Sequence, residues 1–255
     1  MPRNDLIFDI GANNGDDTAA YLTRGYNVVA VEANPSLCVE LRARFQPELE
    51  SGRLTLAEGA IAERPGETIN LYINSADSGW GTTVPSYARK GEALRGTIQT
   101  ISVPTLTISS LVEQFGVPRY LKIDIEGADI LCLRDLVGRP DVPTYVSIER
   151  PKSIGAQREV LELLRKLGYT RFQIIDQTAT PDQVHPSLSF KRGDTGLFGD
   201  ELPSADWMNY AGTTRRLAEI LLGKTIFRPG PIQKLPALSR FATTGKWFDI
   251  HAARA

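Results

Sequence analysis

The chain has 255 residues, of which 42% are hydrophobic and 23% charged; this excludes wholesale disorder and suits one α/β domain with insertions. Lysine and arginine number 29 against 30 aspartate and glutamate, a formal net charge of -1, which excludes a generally basic nucleic-acid or membrane-surface protein. Two cysteines, Cys38 and Cys132, are too few for a disulfide scaffold or a cysteine-rich metal centre, so a reduced, cytoplasmic setting is expected.

Strand and helix patterns alternate from the start. Leu6 to Ile10 is an apolar run closed by a Gly/Asn turn, and Asp16 to Leu22 reads as a helix. Asn27 to Glu32 is a second buried strand. Asn34 then serves as N-cap and Pro35 as first residue of a helix whose apolar face carries Leu37, Cys38, Leu41 and Phe45. Arg53 to Ile61 gives a third strand and Thr68 to Ile73 a further one. The Ser-, Gly- and Thr-rich stretch from Asn74 to Gly96 reads as a long loop. Tyr120 to Ile125 is a strand, Ala128 to Val137 a helix, Thr144 to Glu149 a strand, Ile154 to Leu167 an amphipathic helix and Arg171 to Ile175 a strand. From Gln177 to Thr244 the pattern lapses into Pro and Gly, with one helical segment from Thr213 to Leu222; Lys246 to His251 then gives a last strand. Apolar strands alternating with helices predict a mostly parallel, doubly wound α/β sheet. No run reaches the roughly 18 apolar residues that span a bilayer. The N-terminal MPRNDLIFDIGANNG lacks a long apolar segment, so no secretory signal is expected there.

Charge is unevenly spread. From Ser204 onward eight bases face three acids, Asp206, Glu219 and Asp249. A basic cover over an acidic core favours an anionic substrate; a solvated surface with a chance imbalance is the plainer account.

Three motifs carry chemistry. The first is DIGANNG, Asp9 to Gly15, between a strand and a helix, where an open α/β sheet binds a nucleotide-like ligand. Gly11 permits the tight turn and Gly15 close backbone approach. In a GxGxxG register counted from Gly11, the second and third glycines are replaced by Asn13 and Asp16. Asp16 and Asp17 would put carboxylates where a pyrophosphate should sit. S-adenosylmethionine has no phosphate and carries a positive sulfonium, so the acidic turn suits it and disfavours NAD. Second, Glu32 ends the next strand about twenty residues on, placed to accept hydrogen bonds from both ribose hydroxyls. Ala33 lies beside it, and the segment Glu58 to Ile61, with Ala60 and Ile61, falls near the adenine by position. Third, KIDIEG, Lys122 to Gly127, sets Asp124 and Glu126 at the carboxyl end of a buried strand; helix capping is the competing explanation for these acids.

Together these pieces resemble the FkbM family of S-adenosylmethionine-dependent methyltransferases. The residues that carry the resemblance are FDIGANNGD (Phe8 to Asp16), VVAVEANP (Val28 to Pro35), LKIDIEGAD (Leu121 to Asp129) and SIER (Ser147 to Arg150), with an ending, KWFDIHA, found in some members. The resemblance covers Leu6 to Ile175. It implies a Rossmann-like class I methyltransferase fold with an antiparallel last strand. It also implies cofactor contacts from Asp9, Gly11, Ala12, Asn13, Gly15, Asp16, Glu32, Ala33, Ala60, Ile61 and Asp124. The chain then forms a single methyltransferase domain, 1–255, with a core of 1–176 and 245–255 and a lid or insertion at 177–244. The implied reaction is methyl transfer to oxygen, on a hydroxyl of a sugar, polyketide or other natural product. Family members often carry Thr-Leu-Asp before the KID strand; here Thr105-Leu106-Thr107 stands there, and Thr107 can still cap a helix.

A hydroxyl is a poor nucleophile, so a base or a metal is expected. One candidate is a carboxylate pair, Asp124 with Glu149. A second is a divalent metal such as Mg²⁺ on Asp124, Glu126 or Glu149, allowed but not expected. A third is a histidine, His185 or His251. Trp80, flanked by Gly79 and Gly81, is placed to cover substrate, and Trp207 with Phe198, Leu202 and Tyr210 forms either an acceptor wall or simple packing. The expected partner is a small-molecule or glycan acceptor, with no membrane span. Oligomeric state, monomer or homodimer, stays open. The alternatives are a nucleic-acid or protein methyltransferase using the basic C-terminal part, and a non-catalytic S-adenosylmethionine-binding protein. No Asn/Asp-Pro-Pro-aromatic run follows the KID strand, which speaks against a nucleic-acid target.

Overall fold

A computed structural model describes residues 1–74, 77–89, 97–226 and 246–254. The chain divides into two compact units, Met1–Ile148 and Glu149–Ala255.

The first unit begins with β1 (Arg3–Ile10), α1 (Asp16–Thr23), β2 (Asn27–Glu32), α2 (Pro35–Arg44), α3 (Gln46–Glu50) and β3 (Leu54–Glu58). It continues with β4 (Ala60–Ile61), β5 (Thr68–Asn74), β6 (Asp77–Thr82), β7 (Ile98–Leu106), α4 (Ile108–Phe115), β8 (Pro118–Ile123), α5 (Ile130–Leu136) and β9 (Tyr145–Glu149), whose last residue opens the second unit. The central strands run parallel in the order β9-β8-β1-β2-β3. Their apolar runs are buried on both faces, as a sheet sandwiched by helices requires. Chain order reverses on either side of β1, so β1 and β8 flank the switch point where such sheets bind ligands.

Two expectations are corrected here. The run Arg53 to Ile61 is two strands, because Gly59 breaks it and β4 pairs with β7 instead. This starts a second sheet, β4-β7-β5-β6, around a small core of Ala60, Leu71, Ile73 and Val103. The stretch expected as a loop from Asn74 contains β6, antiparallel to β5, and a helical turn at 85–89; an outer strand is held by backbone pairing and needs no apolar alternation. Ile98–Leu106 forms β7, which pairs with β4 and β5. Thr107 does cap α4: its hydroxyl accepts the Ser110 amide at 3.0 Å. Asn34 likewise caps α2, accepting the Ser36 amide, with Pro35 at the first helical position. Cys38 and Cys132 are buried free thiols.

The second unit holds α6 (Ile154–Lys166), β10 (Arg171–Asp176), α7 (Tyr210–Ile226) and β11 (Phe248–Ala253). β11 runs antiparallel to β10, from Asp176↔Phe248 to Arg171↔Ala253. Between them lie short 3-10 turns at Gln177–Asp182, Gly199–Glu201 and Ser204–Asp206. The helix expected at Thr213 to Leu222 is longer at both ends. Phe198 and Leu202 are buried, Arg171 stacks over Trp207 at 5.5 Å, and the Tyr210 hydroxyl donates to Glu162 at 3.2 Å. The part of the expected lid at 227–244 and the side chain of Trp80 lie outside the described residues.

Candidate active site

The glycine turn is stitched to both neighbouring strands. Gly11 and Ala12 donate their amides to the Val31 carbonyl at 2.9 and 3.0 Å, and the Asp124 amide donates to Ile10 at 3.0 Å. Gly11 has φ 83°, and a Cβ there would stand 1.9 Å from the Asp124 carbonyl oxygen. No other residue type fits that contact. Gly15 initiates α1 at φ 81° over Leu41 and Phe45.

Beneath the turn lies a charge cluster centred on Lys122, a position the sequence reading did not single out. Lys122 is directly opposite Asp9 in the β1–β8 register. Its ammonium donates to the Gly11 carbonyl at 3.0 Å and stands 3.2 Å from Asp9, 3.6 Å from Asp17 and 3.9 Å from Asp124. Asp9 also accepts the Thr18 hydroxyl at 2.6 Å, tying strand to helix inside the core. Burial alone would lower the lysine's pKa, but Asp9, Asp124 and Asp17 outweigh it and hold the ammonium well above its ordinary pKa. Burial pushes the Asp9 carboxyl up, with Lys122 opposing. Asp16 turns away: Arg44 pairs with it at 2.8 Å and donates to the Asn14 carbonyl at 2.6 Å. Asp17, rather than Asp16, is the helix acid that joins the cluster.

Glu32, at the end of β2, is almost wholly buried and already well supplied with donors. One oxygen accepts the Ala33 and Asn34 amides at 2.9 and 2.8 Å; the other accepts the Asn13 amide at 2.8 Å. Burial raises its pKa and these amides pull it back. A carboxylate offers about four acceptor sites, so Oε2 keeps room for one further donor. Asn13 reaches it with φ 50°, a left-handed conformation that asparagine tolerates.

The KIDIEG turn is shaped locally by Asp129. Its carboxylate accepts the Ile125 amide at 3.0 Å and the Gly127 amide at 2.9 Å. Glu126 sits at φ 52°, a strained setting for this residue type and one that concentrates at functional sites. Its carbonyl accepts the Thr82 hydroxyl at 2.8 Å, and Tyr87 lies over Gly127, three ring atoms within 3.0 Å of where a Cβ would be. Asp124 projects beyond the strand with its side chain 52% exposed. Surrounding protein nevertheless desolvates it enough to raise its pKa, against the pull of Lys122. A cleft of about 540 Å³ opens past Gly127, lined among others by Arg64, Glu67, Thr68, Thr83 and Leu131.

Ala12 and Ala33 sit with the turn and the end of β2, as expected. Ala60 and Ile61 are 4% and 3% exposed within β4, so what they offer a ligand is backbone and neighbouring surface. Glu149 ends β9, next to Ile148, which is in register with Ile123. In the second unit, His185 closes its own turn, its Nδ1 accepting the Ser187 amide at 3.2 Å. His251 is buried in β11 opposite Gln173; burial lowers its pKa to about 3, and Nε2 has no partner among the described residues. Among the described residues no three His, Cys, Asp or Glu side chains gather as a metal site. No helix among them is long and apolar enough to cross a membrane.

The methyltransferase FkbM domain profile matches residues 9–171, more than half of the chain. The chain belongs to the FkbM methyltransferase family. It is an S-adenosylmethionine-dependent methyltransferase. No curated protein sequence matches it significantly. Among solved structures, similar folds include a precorrin-6y C5,15-methyltransferase from Geobacter metallireducens, at 11% identity over 100% of this chain and 82% of that one, TM-score 0.39. A Haemonchus contortus phospholethanolamine N-methyltransferase 2 is 12% identical over 100% of this chain and 50% of that one, TM-score 0.40. The donor set fits the FkbM cofactor. Three carboxylates against one ammonium leave the turn negative, which repels a pyrophosphate and receives a sulfonium. The cradle under Gly11 excludes any side chain there, and Oε2 of Glu32 is ready for a ribose hydroxyl.

Proposed function

We propose that this enzyme transfers a methyl group from S-adenosylmethionine to a hydroxyl oxygen of a small molecule or glycan. The observation that carries the reading is Asp124: an open carboxylate of raised pKa, beside the cofactor turn. When bound, S-adenosylmethionine supplies an activated, electrophilic methyl group. The chain's own work is then to hold the cofactor through the backbone of the Gly11–Gly15 turn and Glu32, to align the acceptor oxygen, and to take its proton. Alignment alone supplies several kcal/mol of the barrier. Asp124 is the base: desolvation raises its proton affinity above that of an ordinary carboxylate, which favours general-base catalysis. Glu149, at the end of the neighbouring strand, is the second candidate. Glu126 shapes the turn by its backbone, and His251, held neutral by burial, serves as packing. The buried thiols of Cys38 and Cys132, the former pushed up to about 12 by burial, support a reducing, cytoplasmic setting.

The test uses tritiated-methyl S-adenosylmethionine with panels of sugars and polyketide alcohols. Product label should survive alkaline hydrolysis, as an ether does and an ester does not. Asp124→Asn should lose transfer by at least 100-fold while binding of S-adenosylmethionine, read by calorimetry, stays within about tenfold. Label found only in amines or esters would overturn the reading.

A further inference from the structure

The cleft of about 540 Å³ past Gly127 lies wholly within the first unit. Three pieces of chain wall it. One is the continuation of the KIDIEG turn, Gly127 to Leu131, which the Asp129 carboxylate fixes through the Ile125 and Gly127 amides. The second is Thr83 to Pro85, after β6. The buried Thr82 hydroxyl locks it to the first, donating to the Glu126 carbonyl at 2.8 Å and accepting the Val84 amide at 3.1 Å. The third is the connection from β4 to β5, Ala62 to Glu67. Buried Thr105 holds it, its hydroxyl accepting the Glu67 amide at 2.9 Å and donating to the Arg64 carbonyl at 2.7 Å. Every wall is hydrogen-bonded in place without a ligand, and the volume falls in the range of about 300–1,000 Å³ of small-molecule sites.

The lining says what kind of molecule fits. Ile69, Val84, Ile130 and Leu131 line the cleft half-covered, neither sealed in the core nor fully open to water. An apolar body seated there takes that surface out of water. Polar groups are few: Thr68 and Thr83 supply hydroxyls, whereas that of Thr105 is spent on the wall. The charges stand at the rim. Arg64 pairs with Glu67 at 3.8 Å, their side chains 80% and 60% exposed, and Glu63 is exposed beside them. Among the described residues no aromatic ring lines the cleft, so the stacking face on which a free sugar is held is missing there. The chemistry is within reach. Asp124 precedes Gly127 by three residues, so an extended chain would set them about 11 Å apart at most. The left-handed Glu126 and Gly127, at φ 52° and 103°, make the path a turn and so shorter.

We propose that this cleft binds the methyl acceptor, and that the acceptor is an uncharged alcohol with an aliphatic body rather than a free sugar. The body lies against Ile69, Val84, Ile130 and Leu131, with the hydroxyl toward Asp124. The acceptor role rests on the methyl-transfer reading; the binding of such an alcohol does not.

The experiment separates the two. Full-length protein labelled with ¹³C at its Ile, Leu and Val methyls is titrated with menthol, an uncharged alicyclic alcohol, and with methyl β-D-glucoside, each with and without S-adenosylhomocysteine. The expected result is a saturable shift of the Ile69, Val84, Ile130 and Leu131 methyls with menthol and none with the glucoside. Ala62→Phe fills the cleft without removing a hydrogen-bonding side chain. It should weaken menthol binding at least about tenfold and leave S-adenosylmethionine affinity within about threefold. Ile130→Thr puts a hydroxyl on the apolar wall at little change of shape and should weaken menthol about threefold or more; it keeps the test in force if the larger side chain unfolds the protein. Shifts without saturation, menthol binding unchanged in the folded variants, or tighter binding of the glucoside overturns the proposal. For an alcohol that the enzyme methylates, Ala62→Phe should raise KM at least about tenfold with kcat within about threefold. An unchanged KM overturns the cleft as acceptor site while methyl transfer to hydroxyl stands. If menthol binds as expected and no hydroxyl is methylated, the alcohol site stands, and the methyl-transfer reading fails together with the acceptor role.

Discussion

Replacing Lys122 by methionine tests the charge cluster directly. The substitution keeps most of the side-chain volume and removes the ammonium 3.2 Å from a fully buried Asp9. At that distance and an effective dielectric of 20 the lost attraction is about 5 kcal/mol. Breaking a buried pair by removing one partner costs about 3–5 kcal/mol overall. The loss should depend on pH, and the direction follows from the acids left behind. Lys122 lowers the pKa of both Asp9 and Asp124, which burial already raises; without it both rise further. A carboxyl whose folded pKa exceeds its unfolded value destabilises the protein above the folded pKa. That penalty is relieved as pH falls through the folded pKa toward the unfolded one. Urea unfolding at pH 8 and pH 5.5, extrapolated linearly to water, should therefore show a penalty near 3–5 kcal/mol at the higher pH and a clearly smaller one at the lower. A penalty below about 1 kcal/mol at pH 8, or one that grows toward acid, would refute the account of a buried ammonium holding buried carboxylates.

Two further outcomes follow from other contacts. Gly11→Ala places a methyl 1.9 Å from the Asp124 carbonyl at a positive φ, so β1 and β8 must part at the cofactor turn. Calorimetry should show S-adenosylmethionine binding weakened at least 100-fold even where the fold survives, and binding within threefold would show that the cradle is not needed. His251, with a folded pKa of about 3 against about 6.5 unfolded, contributes stability that is intact above pH 6.5 and lost as pH falls toward 3. The loss reaches about 2 kcal/mol by pH 5, and His251→Phe should flatten the slope of unfolding free energy between pH 6.5 and 5; an unchanged slope would remove His251 as its source.

The parallel sheet was legible because its strands announce themselves. IFDI, NVVAVE, YLKIDI and TYVSIE are apolar on both faces, and only a sheet covered on both sides asks for that. Asn34, Pro35 and Thr107 marked helix starts for the same local reason, a side-chain acceptor meeting an orphan amide. β7 was not legible. IQTISVPTL buries Val103 and Thr105 fully, the rest being at best partly covered, and Pro104 reads as a breaker unless its neighbours in the sheet are known. β6, DSGWGT, has the composition of a loop and becomes a strand through its pairing with β5. The places of Gly11, Glu32 and Asp124, at the glycine turn and the strand ends, could be read from spacing. Lys122 could not: a lysine within an apolar strand is anomalous, but its meaning appears only when the register sets Asp9 opposite.

The clasp that Asp129 makes on Ile125 and Gly127 has a kinetic consequence. The turn that presents Asp124 is held by a carboxylate of its own chain, so its geometry does not wait for a ligand to impose it. Little ordering entropy remains to be lost there when the cofactor arrives. Association at this edge then resembles docking onto a finished surface, limited by diffusion and orientation rather than by loop closure. Differences in affinity among variants of the turn should accordingly reside in how long the cofactor stays.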